Sequence, residues 1–176
     1  MQNAETGRSS ILIVDDESAN REVLRRILER EGHHVTVAGS GKEALEQLLL
    51  PDAAMDLVLL DQRMPSLSGL DTLKQIRQRY RTSELPVIMV TAEGEASSVV
   101  QALDSGANDY ITKPVEFPVL SARVRTQLAQ LRAERRLRDS ERRYALTALG
   151  SNDGFWEINS ASGRLNVDQR WLDMLG

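Results

Sequence analysis

The chain reads as an α/β protein built on a doubly wound parallel sheet, and three observations predict that class. Short apolar runs alternate with helix-like stretches five times up to about residue 120, the signature of β–α–β units joined by right-handed crossovers. Within 56–60 and 86–90 the runs are continuously apolar, as strands covered on both faces require. Four of the five runs end in an acid, a hydroxyl or an ammonium. That carboxyl edge is where open α/β sheets keep their chemistry.

In chain order, a strand over 10–14 (Ile11-Leu12-Ile13-Val14) delivers Asp15 and Asp16. A helix over 18–31 follows, with Ser18 as its expected cap and Gly32 as its stop. The second strand is expected over 34–38, with His33 and His34 as surface turn residues before it. Ser40 caps a helix over 41–50, the third strand over 56–60 ends on Asp61, and a helix occupies 68–80. The fourth strand, 86–90, delivers Thr91; a helix over 95–105 stops at Gly106, and the fifth strand, 109–112, delivers Lys113. A fifth helix begins near 117. From Pro118 to about Leu149 no Gly or Pro interrupts it, which permits some 30 helical residues, roughly 45 Å.

Composition narrows the function. With no cysteine, thiolate metal sites, disulfides and cysteine nucleophiles are excluded. No apolar run approaches the roughly 20 residues of a membrane span, and the polar N-terminus, Met1 to Ser10, carries no apolar signal core, so a cytoplasmic protein without membrane partners is expected. Charge is uneven. Residues 1–120 carry 12 Lys and Arg against 19 Asp and Glu, whereas 121–143 carry eight Arg against three acids. Arg135/Asp139, Glu134/Arg138 and Asp139/Arg143 are spaced i,i+4, as on a solvated helix surface, so direct nucleic-acid binding is not expected.

Three carboxylates, a hydroxyl and an ammonium converging on one sheet edge suit a divalent cation and a phosphoryl group. Asp15-Asp16, Asp61 with Met64-Pro65 and Gly69, Thr91-Ala92 and Lys113-Pro114, in order and each at a strand end, resemble a response-regulator receiver domain over about residues 10–130. The resemblance implies a flavodoxin-like five-stranded sheet of order 2-1-3-4-5 and a two-component phosphorelay. It implies that a sensor histidine kinase or phosphotransfer protein donates a phosphoryl group to Asp61, forming an acyl phosphate. It further implies Mg²⁺ held by Asp16, Asp61 and the backbone carbonyl of Arg63, with Asp15 acting through water or by placing the metal; hard oxygen ligands suit this ion. Lys113, the Thr91 hydroxyl and the Ala92 N–H would bind phosphoryl oxygens, Tyr110 would be the switch aromatic, and Pro114 would follow a cis peptide bond. Arg63 and Glu93, two positions beyond Asp61 and Thr91, are the side chains expected to tune phosphate lifetime.

Asp15-Asp16 as mere helix caps, Thr91 as a turn residue and Lys113 as a surface charge are each tenable alone; no folding requirement places all four at successive sheet ends. A haloacid-dehalogenase-type phosphohydrolase is a poorer match, because its nucleophile lies two residues before a second acid after the first strand, whereas Asp61 is isolated after the third. A nucleotide-binding module lacks its Gly-rich loop after Val14.

The remaining organisation is a tail over 1–9, a helical linker over 131–149 and the truncated start of an α+β domain over 150–176. Arg143-Tyr144-Ala145-Leu146 through Asn152-Asp153-Gly154-Phe155-Trp156-Glu157, and Trp171-Leu172-Asp173-Met174-Leu175-Gly176, resemble the opening of a PAS sensor domain. Phe155–Asn159 and Arg164–Val167 are expected as two short strands. A PAS-linked cyclic-di-GMP cyclase or phosphodiesterase is the expected output beyond residue 176, with the receiver of a hybrid histidine kinase as the alternative. Val124, Leu128 and Leu131 form an apolar stripe whose heptad register Leu137 and Tyr144 do not continue. The expectation is a parallel homodimer in which a partner buries that stripe.

Overall fold

The computed structural model describes residues 8–50, 54–92, 96–150, 156–158 and 165–167. Strands β1 (Ser10–Val14), β2 (His34–Ala38), β3 (Leu57–Asp61), β4 (Val87–Ala92) and β5 (Asp109–Lys113) alternate with helices α1 (Ser18–Arg30), α2 (Gly41–Leu48), α3 (Gly69–Arg77), α4 (Ala96–Asp104) and α5 (Phe117–Gly150). The five strands pair in parallel in the order β2-β1-β3-β4-β5. This is the flavodoxin-like arrangement.

Each strand divides its side chains between two apolar layers, as the period of two demands. Leu12, Val14, Val58, Leu60, Val87 and Met89 pack with Ala44, Leu48, Leu73, Ile76 and Ala102 of α2, α3 and α4. Ile11, Ile13, Leu57, Leu59, Ile88 and Ile111 pack with Leu24 and Leu28 of α1 and with Leu120, Val124 and Leu128 of α5. The second layer overturns one expectation. Val124, Leu128 and Leu131 are 0%, 3% and 3% exposed, and Val124 and Leu128 pack with the sheet and α1; the stripe is buried within the chain, so it is not a free dimer seam. A 3.6-residue apolar period reports that a helix face is buried, not what buries it.

Local chemistry corrects three further details. Glu17, not Ser18, is the N-cap of α1 and makes no side-chain cap bond; its N–H donates instead to Asp15 Oδ1 at 2.8 Å. Ser40 does cap α2, accepting from Glu43 N–H, and Gly32 and Gly106 end α1 and α4 at φ +92° and +96°, where a side chain would be strained. Asp56 precedes β3, its carboxylate accepting the Ser10 N–H at 2.9 Å. His34 is exposed at the start of β2, but His33 is half-buried rather than a surface turn residue, and burial lowers its pKa.

At the end of the sheet away from the acids, Arg77 binds four neutral acceptors. Its Nε donates to Gly106 O at 2.7 Å and Nη1 to the carbonyls of Tyr80 (3.3 Å) and Leu85 (3.0 Å). Nη2 donates to Asn108 Oδ1 at 2.9 Å, which also accepts the Val87 N–H. Burial pushes the Arg77 pKa down to about 10.

The chain divides into two compact units, 1–133 and 134–176. In the second, β6 (Trp156–Ile158) pairs antiparallel with β7 (Leu165–Val167). Of the other residues expected to open a PAS domain, 143–150 belong to α5 and the rest lie outside those described. No described helix is long and apolar enough to cross a membrane.

Candidate functional site

β1, β3, β4 and β5 end side by side, and parallel register aligns their last residues: Val14 lies opposite Leu60, Asp61 opposite Val90, Thr91 opposite Thr112 and Ala92 opposite Lys113. Asp15, Asp61 and Thr91 are 2%, 5% and 1% exposed, respectively, while Asp16 is exposed. Oxygens of Asp15, Asp16 and Asp61 lie within 4.8 Å of one another. Like charges so close need a cation. Lys113 Nζ supplies one, donating to Asp61 Oδ2 at 2.9 Å and Asp15 Oδ2 at 3.2 Å.

The electrostatics follow from burial. Asp61's carboxyl is raised above the ordinary carboxylate range chiefly by burial, an effect that Lys113 opposes and Asp15 reinforces. For Lys113 burial alone would lower the pKa, but the carboxylates of Asp61 and Asp15 together outweigh it and raise it. Thr91 Oγ1 is buried without a hydrogen-bond partner among the described residues. A hydroxyl so placed costs stability and is available to an arriving oxygen. The Lys113–Pro114 peptide is cis.

The loop after Asp61 is shaped by close backbone approach. Gly69 N–H donates to Gln62 O at 2.9 Å, and a Cβ on Gly69 would lie 2.0 Å from Asp61 O. Only glycine fits there. Arg63 is exposed and its N–H donates to Asp61 Oδ1 at 3.5 Å; Glu93 lies outside the described residues. Tyr110 is half-buried beside the α2–α4 layer, with the Arg123 guanidinium 5.4 Å from its ring centroid and Arg123 paired to Asp109.

Two site neighbours have no counterpart among the sequence-predicted residues. Asn20 Nδ2 donates to both Asp15 oxygens, at 3.4 and 3.2 Å, and Arg21 Nη1 donates to the carbonyls of Asp15 (2.6 Å) and Asp16 (3.0 Å). Their available signal was position: both lie in the first turn of the helix that follows the acidic pair.

The donor set fits Mg²⁺, being hard oxygen throughout; the orphaned Thr91 hydroxyl and the Lys113 ammonium fit a phosphoryl group beside it.

Comparison with known proteins agrees. The family model described as response regulator receiver domain matches residues 11–125. The transcriptional regulatory protein AfsQ1 of Streptomyces coelicolor is 41% identical over 131 residues, 74% of this chain and 55% of that protein. CpxR of Escherichia coli, also named a transcriptional regulatory protein, is 44% identical over 120 residues, 68% of this chain and 49% of its own length. The chain thus spans about half the length of these curated relatives. Among solved structures, a receiver domain protein from Clostridium thermocellum superposes with TM-score 0.63 at 31% identity, covering 73% of this chain and 98% of that one. One described as a two-component system response regulator/GGDEF domain protein gives 0.68 at 29% identity, covering 73% and 51%.

Proposed function

The chain belongs to the response regulator receiver family, and from that premise we propose that Asp61 is its phosphoacceptor. A receiver is a phosphoacceptor switch rather than a catalytic enzyme, is phosphorylated by histidine kinases and binds Mg²⁺ at its acidic pocket. The observation that carries the assignment to Asp61 is its position between two groups of opposite use: the Asp15/Asp16 acids within 4.8 Å and the Lys113 ammonium at 2.9 Å.

In the transfer, an Asp61 oxygen attacks phosphorus, the phosphorus–nitrogen bond of a phosphohistidine breaks, and its electron pair leaves with the imidazole. Such a transfer needs charge neutralised more than it needs a base. Mg²⁺, when held by Asp16 and Asp61 with the Arg63 carbonyl and with Asp15 in support, supplies part of that neutralisation. Lys113 supplies the rest by transferring its donated hydrogen bond from the Asp61 carboxylate to a phosphoryl oxygen. Thr91 Oγ1 and the Ala92 N–H take another oxygen, which gives the orphaned hydroxyl its partner. Movement of Thr91 towards the phosphoryl group is the event that Tyr110 reads. Arg63 and Glu93, two positions beyond Asp61 and Thr91 in the sequence, are the side chains that set how long the acyl phosphate lasts.

The domain plan in this reading is a tail over 1–9, a receiver over 10–130, a linker over 131–149 and a PAS-like start over 150–176, supported by the β6–β7 pair. The output is a cyclic-di-GMP cyclase or phosphodiesterase, supported by the GGDEF-containing structural neighbour. The relatives named as transcriptional regulators support a DNA-binding output as a second reading.

Incubation with a small phosphodonor and Mg²⁺, followed by intact mass, tests the assignment. The parent gains one labile phosphate, and Asp61→Asn gains none. A phosphorylated Asp61→Asn protein would move the acceptor elsewhere.

A further inference from the structure

The two members of the acidic pair at the end of β1 stand in different circumstances. Asp16 is exposed. The Asp15 side chain is 3% exposed and carries four donated contacts. Oδ1 accepts from Glu17 N–H at 2.8 Å and Asn20 Nδ2 at 3.4 Å; Oδ2 accepts from Asn20 Nδ2 at 3.2 Å and Lys113 Nζ at 3.2 Å. An ionised carboxylate offers about four lone-pair sites. Those of Asp15 are taken.

We propose that Asn20 is a positioning residue that holds Asp15 out of direct metal coordination and so limits Mg²⁺ affinity, resting on the reading of Asp16 and Asp61 as the metal's carboxylate ligands. Of Asp15's donors, Glu17 N–H belongs to the turn into α1, and Lys113 is shared with Asp61. Asn20 alone is a neutral side chain, and its amide spans both Asp15 oxygens. Arg21 completes the arrangement from the other side: by binding the Asp15 and Asp16 carbonyls it keeps the backbone of the pair fixed, so the carboxylates cannot exchange places. The site therefore offers a cation two carboxylates rather than three. This matches a metal that keeps several waters and must leave room for a phosphoryl oxygen. A third direct carboxylate would hold the ion more tightly and displace a water.

The test uses the whole chain and Mg²⁺ itself. Isothermal titration calorimetry, without any phosphodonor, is run on the parent, Asn20→Ala, Asp15→Asn and the double variant. Loss of the Asn20 amide frees lone pairs on Asp15, and the Mg²⁺ dissociation constant falls by about three- to tenfold, within the range that the net contribution of an ordinary hydrogen bond spans. In the Asp15→Asn background the Asn20→Ala substitution then changes nothing, because the double-mutant cycle isolates the pair. A merely structural Asn20 would not give that dependence on Asp15. Asn20→Leu, close in shape, repeats the measurement should the smaller side chain disturb α1. An unchanged or weakened affinity in both Asn20 variants overturns the proposal. So does an equal tightening with and without the Asp15 carboxylate. Failure of the parent to accept phosphate on Asp61 would instead defeat the phosphoacceptor reading and leave the metal measurement standing.

Discussion

Replacing Thr91 by valine should make the protein more stable while removing its response. Thr91 is 1% exposed in β4, and its Oγ1 has no hydrogen-bond partner among the described residues. Burying a hydroxyl unsatisfied costs about 1–3 kcal/mol. Valine keeps the β-branched shape and strand preference and substitutes a methyl for the orphaned oxygen. A gain of about 1–2 kcal/mol follows, which raises the melting temperature of a domain this size by roughly 3–8 °C. Urea and thermal unfolding without Mg²⁺ measure it. Thr91→Ser is the control, since it retains the hydroxyl but loses a buried methyl, at a cost of about 1 kcal/mol. Beryllofluoride with Mg²⁺, which mimics the aspartyl phosphate, should stabilise the parent by ligand linkage and the valine variant markedly less. A valine variant less stable than the parent would show that Oγ1 is satisfied in solution and would refute the argument.

Asp61→Asn should stabilise the protein in a pH-dependent way. Burial, against the pull of Lys113, raises the folded pKa of Asp61 above its ordinary 3.8. The carboxyl therefore favours folding fully below about 3.8 and loses that contribution as pH rises through the raised value. The advantage of the Asn variant should be least at acid pH and grow across this window in urea titrations; an advantage that shrinks on going from pH 4 to 7 would contradict it. Leu128→Ala should cost about 2–5 kcal/mol because Leu128 is 3% exposed within the sheet–α1–α5 layer. Its sedimentation coefficient should match the parent's under native conditions. Dissociation of a parent dimer by this change, without lost stability, would restore the partner-seam expectation.

The sheet edge was legible because strand ends are punctuated: an apolar run that stops at Asp61, Thr91 or Lys113 marks both where the strand finishes and what it presents. Parallel register then assembles those residues with no further information. Side chains that reach across elements were not legible. Ser18 had the composition of a cap, but the Asp15 carboxylate took the Glu17 N–H and shifted the helix start. Asn20 and Arg21 carry no motif that marks them, since their reach back to Asp15 and Asp16 depends on the angle at which α1 leaves β1. The stripe Val124, Leu128, Leu131 was recognised as buried and assigned the wrong cover. Nothing local in the sequence marks Arg77; its partners include Gly106 and Asn108, some thirty positions on.

That last dependence governs how this chain can change. A Cβ on Gly106 would come within 3.2 Å of the Arg77 side chain, and Asn108 Oδ1 serves Arg77 and the Val87 N–H together. Lysine at 77 lacks the planar fork that reaches several carbonyls at once, a side chain at 106 needs the arginine to withdraw, and without the guanidinium Asn108 Oδ1 loses one of its two donors. Every single step away from the trio goes downhill, and no one step is repaired by a neighbour already present. Positions 77, 106 and 108 should therefore drift as one inherited block, even though none of them touches the chemistry.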